Sequence, residues 1–305
     1  MRRERLEDRP RVPLPHGLLS GKRFLIRRYV AFASAWLNQV LDLLPPGRWL
    51  HRGLRRKLEW TEIEIPLRTG GPGLDGTRLL FLSDLHAGSY LNEQDLDRLF
   101  AEAAAREPDL VCLGGDLINT RERELLMFRR PLTRLAPPLG IFAVPGNHDH
   151  FWGGDIGLWT GFLKDHGVEV LINRGKRVER GGDSLWIAGV DDLTEGEPDL
   201  AAALTGVADD EPVLLLSHHP DFFFEACAVD IDLTLSGHTH GGQIKLLGWA
   251  AIKHSSFGWH EGLFEREGSK LYVGRGVGVT VLPLRIAAPA EIPILTLRCT
   301  GLRPC

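Results

Sequence analysis

The chain has 305 residues, 43% of them hydrophobic and 25% charged, which excludes wholesale disorder and a polytopic membrane protein. Its net charge of −4 argues against a general nucleic-acid binder, yet that figure averages two unlike parts. Residues 1–60 hold 14 Lys/Arg against 5 Asp/Glu, a net +9, while the other 245 residues hold 22 against 35, a net −13. Four cysteines, Cys112, Cys227, Cys299 and Cys305, form no C-x-x-C pair, so neither a structural zinc site nor a disulfide scaffold is expected.

In the basic head, apolar residues fall at Leu25, Tyr29, Phe32, Trp36, Val40 and Leu44, spaced by three and four as on one helix face. Pro45-Pro46-Gly47 ends that pattern, and a second basic stretch runs from Arg48 to Lys57. Three readings compete for residues 24–58. Arg27 and Arg28 leave too short an apolar interval for a membrane span, which needs about 20 residues. A cleaved signal is suggested only by Ala33-Ser34-Ala35 and by arginines lying deep in the chain. The composition best suits an amphipathic segment on an anionic membrane surface, with packing on the body as the structural alternative.

From Thr61 the body alternates strands and helices. Strands are expected at 61–65, 78–82, 110–113, 141–144, 168–172, 177–179, 185–190, 213–216, 233–235, 271–273 and 292–297. Helices are expected after the cap Asn92, over 122–135, 156–163, 198–204 and 221–227. The order βαβαβα followed by mixed β predicts an α/β fold with sheets packed between helices.

Polar residues gather where five of these strands end. In order they are Ser83-Asp84-Leu85-His86, Gly114-Gly115-Asp116, Gly146-Asn147-His148-Asp149, Ser217-His218-His219-Pro220 and Gly237-His238-Thr239-His240. A lone strand-end Asp is usually a cap, but five such ends supplying Asp, His and Asn without a thiol suit Mn, Fe or Zn held by oxygen and imidazole. The donors exceed what one ion needs and match two ions about 3.5–4 Å apart sharing a carboxylate.

This ordered series resembles the calcineurin-like metallophosphoesterase superfamily, whose blocks would run from Asp84 through His240, about half the chain. The first block, with Gly237-His238-Thr239-His240-Gly241-Gly242-Gln243, is similar to a bacterial branch of membrane-associated phosphodiesterases. Some of that wider group hydrolyse the pyrophosphate of UDP-diacylglucosamine in lipid A synthesis. The resemblance implies a four-layer α/β/β/α sandwich with two mixed sheets over residues 61–305, after an amphipathic extension over 1–60. It implies two divalent ions, manganese first, with iron or zinc as options. Asp84, His86 and His240 would hold one, Asn147, His218 and His238 the other, and Asp116 would bridge. His148 would bind no metal; it would face the phosphate and protonate the leaving oxygen, oriented by Asp149 or Asp116.

Two departures qualify this. Leu117-Ile118-Asn119 replaces the Asp-Arg-Gly continuation of the protein Ser/Thr phosphatases, and His219 stands beside His218 as an alternative ligand. His150, two residues beyond His148, either supports the site from behind or is exposed, with exposure the default expectation, and His16, His51, His166, His254 and His260 are expected to lie outside the site. Specificity is expected in Phe151–Asp155 and Lys245–Glu261, where Trp249, Phe257 and Trp259 either line a lipid or base pocket or pack as core.

The leading functional expectation is a hydrolase of a phosphodiester or pyrophosphate, plausibly lipid-linked, in the cytoplasm and peripheral to the inner membrane. Its alternatives are a phosphodiesterase on a soluble nucleotide and a non-catalytic scaffold of the same fold. No nucleic acid and no obligatory protein partner are expected.

Overall fold

The computed structural model describes residues 58–299 apart from 89, 151–155, 247–248, 251–253 and 281, together with residues 5, 6, 10, 11, 33, 36 and 40. The expectations for His16, His51, Phe151–Asp155 and most of the basic head lie outside the described residues.

The first half runs β1 (Glu59–Pro66), β2 (Arg78–Leu82), α1 (Glu93–Ala104), β3 (Leu110–Leu113), α2 (Arg129–Leu132), β4 (Ile141–Ala143), α3 (Asn147–His150), α4 (Ile156–Asp165) and β5 (Val168–Val170). The second runs β6 (Arg174–Arg180), β7 (Asp183–Gly189), α5 (Leu200–Ala203), β8 (Val213–Leu216), α6 (Phe223–Ala226) and β9 (Leu233–Ser236). The ribbon β10 (Lys245–Leu246) and β11 (Trp249–Ala250) follows, then β12 (Gly262–Arg266), β13 (Ser269–Val273) and β14 (Glu291–Arg298).

Two six-stranded sheets result. Sheet one has the order β1-β14-β2-β3-β4-β5, with β2 through β5 parallel and β14 antiparallel to β2. Sheet two has the order β12-β13-β9-β8-β7-β6, parallel from β13 to β7 with an antiparallel strand at each edge. Their central strands are buried on both faces and so read as unbroken apolar runs rather than as alternation.

The two-residue period of each strand divides its side chains between layers. In β2, Leu79 and Phe81 point between the sheets while Leu80 and Leu82 join the outer core with Leu96, Phe100 and Leu163. In β8, Leu214 and Leu216 face inward while Val213 and Leu215 pack with Phe223 and Ala226 on the opposite outer side. Helix, sheet, sheet, helix is therefore the layer order, a four-layer sandwich of two mixed sheets. Its first outer helix begins on a reciprocal cap, in which Asn92 accepts from Gln94 and Asp95 backbone N–H and Asp95 accepts from Asn92 N–H.

Besides α3, β10 and β11, which no expected range covers, two elements depart from expectation. The span 122–135 is a 3-10 segment, Glu122–Phe128, followed by the single turn of α2. Glu124 turns back to accept N–H bonds from Asn119, Thr120 and Arg121, and Pro131, lacking an N–H, fits only the first turn of a fresh helix. Strand β12 was not expected, because this edge strand is mostly exposed and carries no apolar run. Among the described residues no helix is long and apolar enough to cross a membrane. Near the N-terminus, Arg5 pairs with Asp230 at 2.7 Å and Leu6 packs against the outer core of sheet two.

Candidate metal centre

The parallel strands of both sheets end at one seam. From sheet one, β2 delivers Asp84 and His86, β3 delivers Asp116, and β4 leads through a short loop to Asn147 and His148 in α3. From sheet two, β8 delivers His218 and β9 delivers His238 and His240. All of them are buried except His238, which is partly so.

Asp84, His86, Asp116, His238 and His240 all have left-handed backbone, with φ between 44° and 68°. For non-glycine residues that conformation is uncommon and costs of order 1 kcal/mol or more each. It coils the chain so tightly that residues i and i+2 turn to one centre, which is how Asp84-x-His86 and His238-x-His240 each supply two donors. Gly237 is needed for the approach of the sheets, since a Cβ there would lie 2.2 Å from Asp84 Oδ2. In its absence His238 N–H donates to Asp84 Oδ1 at 2.9 Å.

Three groups of donors converge, each with ligand atoms within 4.8 Å of one another: Asp84 with His86 and His240, Asp84 with Asp116 and His218, and His86 with Asp116 and His148. Asp84 and Asp116 each belong to two of these groups, and Asp116 Oδ2 lies 3.5 Å from His86 Nε2 and 3.3 Å from His218 Nε2. His240 Nε2 stands 3.4 Å from Asp84 Oδ1 and 3.0 Å from His86 Nε2. On the far side, His238 Nδ1 is 2.9 Å from Asn147 Oδ1 and 3.3 Å from His218 Nε2.

Hydrogen bonds at the back of the rings set which nitrogen faces the centre. A carbonyl oxygen can only accept, so His218 donates from Nδ1 to Gly114 O at 2.8 Å and turns Nε2 toward Asp116. His219 differs: its Nδ1 accepts from Asp221 N–H at 3.2 Å, which leaves the proton on Nε2 and no lone pair for the centre. His148 Nδ1 donates to Asn119 O at 2.7 Å, leaving Nε2 for proton transfer. Of the acids considered for orienting that ring, Asp116 brings a carboxylate oxygen within 4.8 Å of a ring nitrogen. Asp116 Oδ1 accepts from the main-chain N–H of His148, and Asp149 accepts from Gly146, Leu117 and Ile118 N–H, tying the β3 and β4 loops together.

Burial lowers His86, His238 and His240 well below the usual imidazole range, so all three are neutral donors. Burial raises Asp84 to about 6 and Asp149 to about 7, the latter helped by neighbouring Asp116. For Asp116 burial acts upward, but the charges of His218 and His148 prevail and hold it well below the usual carboxylate range. Burial acts downward on His218, and Asp116 outweighs it, raising that imidazole well above normal.

This donor set fits divalent cations. Two imidazole Nε2 atoms meet at 3.0 Å among buried carboxylates, while His86 Nδ1 is buried without a hydrogen-bond partner among the described residues. A cation between those nitrogens satisfies both lone pairs; the all-oxygen-and-nitrogen chemistry matches Mn, Fe or Zn. The seam is a dinuclear metal-binding site.

Two histidines expected to be exposed or outside the site have side-chain partners. His150 is partly buried and meets Asp191 Oδ1 at 2.8 Å, joining the loops after β4 and β7. His254 sets its ring edge-on to His238, centroids 5.7 Å apart. It sits on a segment held by Asp221 through Ser255 Oγ (2.5 Å) and Ser256 N–H (2.9 Å). Its sequence neighbourhood offers no apolar strand to mark it. Phe257 lies stacked between Phe224 and Trp259, and Trp259 meets Phe223 edge-on, so both pack within the protein.

A four-layer sandwich whose strand ends converge on two metal positions defines a metal-dependent hydrolase of phosphoesters. The sequence profile of the calcineurin-like phosphoesterases matches residues 77–242, and the chain belongs to that family. It is 33% identical over 251 residues to the Bacillus subtilis (strain 168) metallophosphoesterase YkuE, covering 80% of this chain and 87% of that one. It is 34% identical over 250 residues to a Danio rerio protein named a transmembrane protein with metallophosphoesterase domain, covering 78% of this chain but only 56% of that longer protein. Among solved structures, the Thermus thermophilus protein TT1561 aligns with 66% of this chain and 89% of its own at 16% identity and a TM-score of 0.44.

Proposed function

We propose that this protein is a two-metal phosphodiesterase acting on a soluble, nucleotide-sized substrate. The observation that carries the chemistry is Asp116, placed between His86 and His218 so that one carboxylate serves both metal positions. In this reading Asp84, His86 and His240 hold the first ion, Asn147, His218 and His238 the second, and Asp116 is shared. When bound, two such ions neutralise phosphoryl oxygens and lower the pKa of a water toward neutrality. The chain's own residues then complete the reaction. Buried imidazoles and carboxylates would hold the metal positions, and His148, fixed through Nδ1 by Asn119, donates from Nε2 to the oxygen that leaves phosphorus.

The soluble substrate is favoured because Phe257 and Trp259, the aromatic residues that could have lined an acyl pocket, are stacked on each other and on Phe224. A lipid-linked pyrophosphate such as UDP-diacylglucosamine is the second reading. It draws on the +9 of residues 1–60, on Trp36 at 66% exposure, and on the name of the Danio rerio relative. In that reading residues 1–60 attach a catalytic unit spanning 61–305 to an anionic inner-membrane surface. Offering bis-p-nitrophenyl phosphate, a cyclic nucleotide and UDP-diacylglucosamine to manganese-, iron- or zinc-loaded protein separates these. Turnover of the first two without vesicles is expected. Turnover of only the lipid substrate would favour the second reading, and none at all would leave a scaffold.

A further inference from the structure

The donors of the first metal position come from two different sheets: Asp84 and His86 follow β2 of sheet one, whereas His240 follows β9 of sheet two. The segment 274–278, after β13, lies against the Asp84 side. Val277 N–H donates to Ser83 O at 3.3 Å and Gly278 N–H donates to Asp84 O at 2.7 Å. Gly276 approaches Asp84 so closely, at φ +66°, that a Cβ there would sit 2.6 Å from Asp84 Cβ.

Arg285 closes this arrangement. Its Nη2 donates to Arg275 O at 2.8 Å, Gly276 O at 3.1 Å and Gly278 O at 2.6 Å, and its Nε donates to Gly278 O at 3.0 Å. Its Nη1 donates to His240 O and Ala288 O, both at 3.2 Å, and Nη2 stands 3.2 Å from His240 Nδ1. Apart from the His240 ring nitrogen the acceptors are main-chain carbonyls, although arginines elsewhere in the protein, such as Arg134 and Arg177, meet carboxylates. Burial pulls this guanidinium down to about 10, so the charge is kept here at a cost. A planar fork of five donors can span two segments at once; a lysine ammonium, a point donor, cannot.

We propose that Arg285 is a positioning residue that clasps the His240 turn of sheet two to the 275–278 segment of sheet one's Asp84, and so sets the first metal position without touching substrate. This rests on the two-metal reading above. Residues supporting metal ligands typically change affinity by about 10- to 100-fold, and the effect here is largest at the first position, because none of the Arg285 bonds reaches Asn147, His218 or His238.

The test is a manganese titration of the full chain, read by competition with a chelating dye and by the electron paramagnetic resonance of coupled manganese pairs. Arg285→Lys is expected to stay folded, keep one manganese at wild-type affinity, bind the other at least about tenfold more weakly, and lose the coupled-pair signal at limiting metal. Gly276→Ala, which pushes on Asp84 from the other end of the clasp, is expected to do the same. Two ions bound at wild-type affinity in both variants would overturn the proposal. So would equal weakening of both positions, or an unfolded Arg285→Lys beside a Gly276→Ala with wild-type binding. Failure of the unsubstituted protein to bind two ions would instead sink the two-metal reading itself, and the clasp with it.

Discussion

The two sheets meet at the seam with nearly mirrored strand orders but unlike donors. In the proposed assignment sheet one would bring every oxygen donor, Asp84, Asp116 and Asn147, with His86 the single imidazole among its ligands, and sheet two would bring imidazoles alone, His218, His238 and His240. The pairings run strand by strand across the gap: Asp84 with His240 and His238 N–H, Asp116 with His218, and His150 with Asp191 beyond them. Two of the three donor groups draw on both sheets. Metal binding is thus coupled to how the halves are docked, and the separation of the sheets becomes a functional quantity rather than only a packing one.

Replacing Asp116 has the largest expected effect. Asp116→Asn keeps the shape but removes the charge between His86 and His218, and metal affinity is expected to fall by more than the roughly 100-fold a supporting residue costs, taking activity with it. Full metal occupancy in that variant, measured by elemental analysis, would refute the bridge. Next in size is His148→Ala, which should retain both ions yet lose turnover on substrates with poor leaving groups by about 10²- to 10⁴-fold. Unchanged rates on such substrates would remove His148 from acid catalysis.

The protons of the two halves offer a subtler contrast. At the first position the competing proton sits on Asp84, raised by burial to about 6, while His86 and His240 are already neutral. Its affinity should therefore fall by about tenfold per pH unit below about pH 6, one proton being displaced, and be level above it. At the second position His218 holds its proton well above the usual imidazole range, so affinity should go on rising through neutral pH. Calorimetry in buffers of different ionisation enthalpy separates these; identical pH profiles would contradict the division. The smallest effect lies away from the seam. Asn92→Ala should cost about 1 kcal/mol of stability through the lost cap of α1 and leave metal binding unchanged.

Much of this was legible before any coordinates. The buried strands announce themselves as apolar runs such as Leu110–Leu113 and Val213–Leu216, and each ends in the polar block that forms the seam. What escaped reading has physical reasons. Whether His218 or His219 faces the centre depends on backbone groups, Gly114 O for one and Asp221 N–H for the other, that sit far apart or out of register in sequence. His254 and Arg285 follow stretches with no periodicity, and their roles arise from long-range docking of loops. Strand β12 forms by pairing with β13 rather than by burying a face of its own. The left-handed backbone at Asp84, His86, His238 and His240 is equally invisible, because nothing in Asp or His as residue types demands it.

The central claim is that the seam binds two divalent ions and that both are needed to hydrolyse a phosphodiester. Stepwise addition of manganese to metal-free protein, with bound metal and bis-p-nitrophenyl phosphate turnover followed together, tests it most directly. Two equivalents should bind, and activity should rise only as the second position fills. Saturation at one equivalent, or full turnover before the second ion binds, would contradict the account.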